Sequence, residues 1–227
     1  SLEQSDLLHL LAGGTRLTLT TCRRSDDILF KWYASVVKSP LGSRHGQPIQ
    51  ETVMQFRTQF SQSKAIGFIP GSVLAPTNLV ISHKLREKVN ALCNVADAKG
   101  RAGAHWITGD TQAALTGNKP QDAWFWPGQI VLASCKGRKF KNGRAYEILH
   151  LADTISLKSE GEEPIHLKRS EFFKSMRLSY AVTYASAQGL TIKGLLALHD
   201  TSNVHFDWRK LYVGMSRATA LEHVIVY

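Results

Sequence analysis

Five stretches of this chain carry side chains whose type and spacing could do chemistry, and in each that chemistry is the holding of an anion. Thr21-Cys22-Arg23-Arg24-Ser25 sets an arginine pair between a β-like run and a helix-start signal, where a guanidinium at a strand end can meet a phosphate. Leu74-Ala75-Pro76-Thr77-Asn78 has the same layout, with Thr77 and Asn78 as polar groups at a strand end. Ala181-Val182-Thr183-Tyr184-Ala185-Ser186-Ala187-Gln188-Gly189-Leu190-Thr191 packs hydroxyls, an amide and a glycine into one turn. Leu211-Tyr212-Val213-Gly214-Met215-Ser216-Arg217-Ala218 brings Tyr212, Ser216 and Arg217 onto one helix end. Lys136-Gly137-Arg138-Lys139-Phe140-Lys141-Asn142-Gly143-Arg144 has five basic residues in nine and no acid, the pattern of a basic hairpin loop. Each has a plainer reading alone: Arg24 pairs with Asp26 or Asp27, Pro76-Thr77-Asn78 caps a helix, and the basic run is a solvated turn.

The elements that must position these residues follow from periodicity and punctuation. Leu2, Leu7, Leu8, Leu10 and Leu11 suggest a short helix stopped by Gly13-Gly14, and Arg16 to Thr21 alternates as a strand. Ser25 caps a helix with Asp26 and Asp27 in its first turn and an apolar face at Ile28, Leu29, Trp32, Tyr33, Val36 and Val37. Pro40 to Pro48 reads as a loop and Glu51 to Phe60 as a helix. A strand over Ser72 to Ala75, the Pro76-Thr77-Asn78 turn and a helix through Val89 continue a βαβ alternation, which predicts a mainly parallel sheet. From about 100 to 176 the pattern changes to short strands (Gln129 to Ala133, Ala145 to Leu151, Thr154 to Leu157) between Gly, Asn and charged turns, the spacing of a small β-barrel. After Arg177 the α/β pattern resumes: strand Leu178 to Thr183, a helix, strand Leu195 to His199, helix Trp208 to Met215 and strand His223 to Val226. The expected fold is therefore α/β, with a parallel-sheet domain over 1–99 and 177–227 and a small β unit inserted over 100–176.

Composition narrows the partners. The 227 residues include 28 Lys and Arg against 18 Asp and Glu, a formal charge of +10 that suits a polyanion. The 43% hydrophobic content excludes wholesale disorder, and no apolar run approaches the roughly 20 residues of a membrane span. Cys22, Cys93 and Cys135 are odd in number and far apart, which excludes a disulfide framework and a C-x-x-C zinc site and fits a reducing compartment, cytoplasm or nucleus. The start, Ser1-Leu2-Glu3-Gln4, has neither initiator Met nor signal-peptide layout, so a trimmed piece of something longer is expected.

In combination the segments resemble the C-terminal motor domain of superfamily 1 helicases, in particular the RecD-like, 5′-to-3′ branch. Arg24-Ser25 resembles the end of motif IV. Ala181, Thr183, Gln188, Gly189 and Thr191 match motif V, approximately A-x-T-x-H-x-x-Q-G-x-T, and Tyr212, Val213, Ser216 and Arg217 match motif VI, approximately Y-V-x-x-S-R. The Pro76-Thr77-Asn78 turn resembles a segment that touches the nucleic-acid strand, and Gly128 through Gly143 resembles an inserted SH3-like barrel. One departure stands out: the motif V His is Ala185 here and the following Lys is Ser186, so that strand contact is absent or passes to Tyr184.

The resemblance implies a RecA-like fold and an ATP- and Mg²⁺-dependent DNA helicase, of the kind used in DNA replication and repair. Arg217, then Arg24, would be the arginine finger, with Gln188 and Gly189 sensing the γ-phosphate and Ser216 and Tyr212 beside the nucleotide. Thr183, Thr77, Asn78 and Thr191 would hold single-stranded DNA, with Lys139 and Lys141 on the barrel. No Gly-Lys dipeptide and no Asp-Glu pair occurs, so a phosphate loop and the Mg²⁺ carboxylates are expected on an N-terminal motor domain of the same parent chain, and the isolated chain should not hydrolyse ATP. The alternatives are a non-catalytic single-strand-binding module and a superfamily 1 RNA helicase.

Overall fold

The computed structural model describes residues 10–11, 13, 24–37, 49–60, 75–109, 121–135 and 139–227. The expected strand over Arg16 to Thr21, the loop over Pro40 to Pro48, most of the helix from Leu2 to Leu11, residues 72–74 and the hairpin tip at Lys136, Gly137 and Arg138 lie outside the described residues. In chain order the elements are α1 (Asp27–Val37), α2 (Ile49–Phe60), β1 (Thr77–Val80), α3 (His83–Ala98), β2 (His105–Ile107), β3 (Ala123–Phe125), β4 (Ile130–Ala133), β5 (Ala145–His150), β6 (Thr154–Lys158), β7 (Ile165–Lys168), α4 (Arg169–Ser175), β8 (Met176–Leu178), β9 (Ala181–Thr183), β10 (Leu196–Leu198), α5 (Trp208–Met215) and β11 (Val224–Val226).

Four of the strands form a parallel sheet in the order β11-β10-β1-β9. All four are short and nearly fully buried, as a sheet covered on both faces requires. Leu29, Val53 and Phe56 from α1 and α2 and Leu211 and Met215 from α5 share one core with Leu79, Val182, Leu196 and Leu198. Gly214 lets α5 come close: a Cβ there would meet a methyl of Leu198 at 2.7 Å. Asp26, rather than Ser25, caps α1, accepting from the Leu29 N–H with one carboxylate oxygen (2.7 Å) and from the Leu221 N–H with the other (2.9 Å). That single side chain ties the start of α1 to the segment after α5.

On the other side, α3 starts at a Ser82 cap whose hydroxyl accepts from Leu85 N–H at 3.1 Å. It turns a polar stripe inward, Asn90, Asn94 and Asp97 at i, i+4 and i+7, which share one helix face. Asn90 takes both backbone groups of Ala181 (2.9 and 3.3 Å) and Asn94 both of Trp124 (2.8 Å each). Asp97 accepts from the Tyr180 hydroxyl at 2.8 Å. Asn90 thus satisfies β9 on the side facing away from β1, where an edge strand would otherwise leave bare amides.

Between α3 and β9 the chain builds β2–β3 and a five-stranded antiparallel sheet, order β7-β6-β5-β4-β8, with its own core of Val131, Tyr146, Ile148, Leu157, Leu167 and Phe172. Several expectations need correction. Residues 178–183 are two strands, β8 in the antiparallel sheet and β9 in the parallel one, and the chain changes sheets at Ser179-Tyr180. No helix follows Thr183; residues 184–189 are consecutive turns. Pro76-Thr77-Asn78 is no turn: Thr77 and Asn78 begin β1, and the strand-to-helix turn comes later, at Ile81-Ser82. The apolar Leu79-Val80-Ile81 carries the strand forward, and Ser82 is the better cap.

Candidate functional site

The loop after β9 has to cross from the carboxyl end of β9 to the amino end of the parallel strand β10, and the candidate residues are strung along that path. It starts with Thr183, buried, whose Oγ1 accepts from Ser186 N–H (3.2 Å) and donates to Ser186 Oγ (2.9 Å), so this hydroxyl shapes the turn. Tyr184 is buried, with its hydroxyl donating to His199 O at 2.9 Å and its ring edge-on to Phe206. Its hydroxyl and ring are thus taken up inside the protein. Ala185, Gln188 and Gly189 are exposed at the crest. Gly189 has φ +88° with open space where a Cβ would point, so glycine is there for its backbone and not for room.

The returning half of the loop lies against the end of α5. Ile192 and Ala218 form a parallel bridge, with Ile192 N–H donating to Arg217 O at 2.8 Å. Arg217, half-buried, donates to Leu190 O (3.3 Å) and to Ser216 Oγ (3.0 Å). Ser216 is buried, and its backbone carbonyl accepts from Arg24 at 3.5 Å, a long contact that holds the exposed Arg24 only loosely. Tyr212 packs half-buried on the core beneath, and Thr191 is exposed beside the bridge. Arg24, Ser216, Arg217 and the Leu190–Thr191 segment therefore come together, although their sequence positions span the chain. Thr183 sits apart, at the carboxyl end of β9.

The crest faces the antiparallel sheet across a cleft of about 560 Å³ lined by Lys141, Arg144, Arg177, Ser186, Gln188 and Gly189 among others. The basic hairpin is not free of acid, as its sequence suggests it should be. Glu162, from the β6–β7 connection, pairs with Arg144 at 2.6 Å and with Lys141 at 3.8 Å. Arg144 also bonds Ser159 Oγ (2.7 Å), and Lys139 reaches His166 O (3.1 Å). Lys141 keeps 75% of its side chain exposed, so its pairing is weak.

Thr77 and Asn78 do not join either group. Thr77 lies at the amino end of β1, while Thr183 pairs with Val80 at the opposite end. Asn78 is fully buried: its Nδ2 donates to Ala75 O (2.6 Å) and Tyr180 O (2.9 Å), and its Oδ1 accepts from Ala75 N–H (3.0 Å) and faces His199 Nε2 at 2.9 Å. The polar atoms of Asn78 are thus committed to the protein. With the amide oxygen fixed as acceptor, His199 carries its proton on Nε2. Sequence reasoning missed Arg177, which looks like an ordinary strand residue, and Asp26, which caps α1 in place of Ser25 and also accepts from Leu221 N–H. Among the described residues, no group of three or more His, Cys, Asp or Glu could hold a metal, and no helix is long and apolar enough to cross a membrane.

No protein-family model and no curated protein matches this sequence. Solved structures do. A Bacteroides Pif1 bound to single-stranded DNA is 16% identical, with a TM-score of 0.60 over 92% of this chain and 51% of the other. The chain is folded like about half of this Pif1 structure. Two further structures agree. Bacteroides Pif1 helicase with ADP-AlF3 and single-stranded DNA is 15% identical (TM-score 0.57; 92% of this chain, 51% of that one), and the Pif1 helicase from Candida albicans is 13% identical (TM-score 0.51; 88% and 53%). The chain spans about half the length of these Pif1 structures. At such identities the likeness is one of fold, and the α/β architecture with a parallel sheet agrees with the RecA-like expectation.

Proposed function

We propose that this chain is the second motor half of an ATP-dependent superfamily 1 DNA helicase or translocase of the RecD-like branch. The observation that carries the reading is the meeting of Arg24, Ser216 and Arg217 with the loop that holds Gln188 and Gly189. Two guanidiniums beside a turn rich in donors suit the γ-phosphoryl oxygens of a nucleotide, where negative charge develops during hydrolysis. On this reading Arg217 is the finger, Arg24 assists, Gln188 and Gly189 report on the γ-phosphate, and Ser216 and Tyr212 hold the finger's end of α5. Thr191 and the backbone of the turn at Thr183 contact a DNA strand, and Lys139 and Lys141 reach it from an SH3-like unit inserted over 100–176 into a RecA-like domain over 1–99 and 177–227. Thr77 and Asn78 are left out of the grip because they lie in β1, away from the loop.

ATP and Mg²⁺ would be bound with an N-terminal motor domain of the same parent protein, which contributes the phosphate loop and the magnesium carboxylates. The half-length coverage of the Pif1 structures supports that division, and the single-stranded DNA in two of them supports DNA as the partner. A cytoplasmic or nuclear setting fits Cys93, whose burial pushes its thiol up to about 11 and leaves it inert, and the exposed Cys135. The test is to titrate the chain with single-stranded oligonucleotides and to assay Mg-ATP turnover by the chain alone. Salt-sensitive binding with little sequence preference and no turnover is expected. Mg²⁺-dependent turnover intrinsic to the chain, or no binding at low salt, contradicts the reading.

A further inference from the structure

Arg177 lies on β8, the last strand before the chain leaves the antiparallel sheet, and it lines the cleft that the β4–β5 hairpin and the crest of the β9–β10 loop enclose. Its Nε is buried without a hydrogen-bond partner. Among the described residues it makes no ion pair, whereas Arg144 and Lys141 share Glu162 and Arg86 has Glu87. The charge that acts on it is a like one, Arg86, whose side chain is only 11% exposed. Burial and that arginine together lower the basicity of Arg177. The lining contains three cations (Lys141, Arg144, Arg177) and no acid. A partly buried guanidinium with an unpartnered Nε and no carboxylate of its own is unfavourable unless something anionic arrives.

We propose that this cleft is a binding site for a phosphate group, with Arg177 as its floor and Arg144, Lys141, Ser186 and Gln188 around it. A volume of about 560 Å³ accommodates a phosphate with its attached sugar, and the exposed Gln188 side chain on the crest adds an amide donor that a phosphate oxygen can use. The bound anion would tie the antiparallel sheet to the loop, because its ligands come from both. The phosphate has two sources: a phosphodiester of a single strand, which rests on the function proposed above, and a free phosphate-bearing small ligand, which does not.

The experiment separates site from source. Thermal unfolding of the chain is followed in chloride and in increasing inorganic phosphate at constant ionic strength. The wild type, R177Q and the control R209Q, on the exposed outer side of α5, are compared, so the general effect of phosphate cancels. The wild type and R209Q should show a saturable rise in Tm that R177Q lacks. R177Q should also match or exceed the wild type in chloride, since it removes a like-charge repulsion. A lower Tm in chloride with the phosphate response intact would make Arg177 a packing residue and overturn the proposal. Should R177Q fail to fold, Gln188→Glu places a carboxylate in the cleft from an exposed position and must abolish the same response; retention there overturns it equally. The second arm measures binding of a short oligothymidylate against salt. A fall of about 0.7 in the slope of log K against log salt on R177Q makes a strand phosphate the source. An unchanged slope with the Tm response abolished makes a free ligand the source and leaves the helicase reading untouched.

Discussion

Arg217 donates to a backbone carbonyl and a serine hydroxyl, so the guanidinium is oriented before any ligand arrives. Orientation is where an arginine outdoes a lysine, since the planar fork fixes two donors at once. Lys139 and Lys141 are held more loosely, by one carbonyl and one distant carboxylate, and so are free to turn to a phosphate. Replacing both with Ala should lower the salt slope of single-strand binding by up to about 0.7 for each phosphate no longer neutralised; filter binding or anisotropy across a salt series reads it, and an unchanged slope would show that this hairpin faces elsewhere. At Gly189 the constraint is conformational. Ala would have to adopt φ +88° with nothing to clash against, so Gly189→Ala should cost about 1–2 kcal/mol, or redirect the crest, as measured by denaturant unfolding.

At the scale of elements, α3 does more than cover the sheet. Its Asn90, Asn94 and Asp97 lie past Val89, where the sequence-based expectation ends the helix, and polar residues at i, i+4 and i+7 are ordinarily a solvated face. In the fold each meets a backbone or hydroxyl group of a segment distant in the chain, a pairing that periodicity cannot reveal. Asn90→Ala should leave both backbone groups of Ala181 unsatisfied and destabilise by about 2–4 kcal/mol in equilibrium unfolding, whereas a loss under about 0.5 kcal/mol would show that water replaces the amide. Helix α5 is the opposite case. Its Asp207 cap, apolar stripe and end at Ser216 are all local signals, and the sequence places it at the observed residues, Trp208 to Met215. The turn expected at Pro76-Thr77-Asn78 falls later because two strand-end signals stand six residues apart, and the apolar Leu79-Val80-Ile81 decides for the second.

For the whole molecule, the switch from βαβ spacing to short strands and back locates the antiparallel sheet between the parallel strands, since each pattern is local. What brings Arg24 to Ser216 across the chain is not local and is legible only through its likeness to motifs IV and VI. The cleft between the sheets, and Arg177 in it, has no such signature. The buried His199 links three segments, facing Asn78 Oδ1 and stacking on Tyr227 at 5.1 Å. Burial lowers its pKa from 6.5, and Asp200 only partly opposes this. The folded state therefore binds fewer protons than the unfolded one, so this contribution is complete above about pH 6.5 and is lost as pH falls through and below that value. His199→Gln should flatten the acid-side fall in Tm between about pH 7.5 and pH 5.5 relative to wild type; parallel curves would exclude His199 as its source. On the proposed function Arg217 acts on a phosphoryl group in a motor made with a phosphate-loop domain. The most direct test of that role is DNA-stimulated ATP turnover by the parent protein carrying Arg217→Ala, with Tm and nucleotide affinity measured on the same sample. A fall in kcat on the order of 10³-fold or more is predicted, with Tm and affinity nearly unchanged and little rescue by Arg217→Lys. A folded, less stable variant with near-normal kcat would make Arg217 a structural residue and contradict the account.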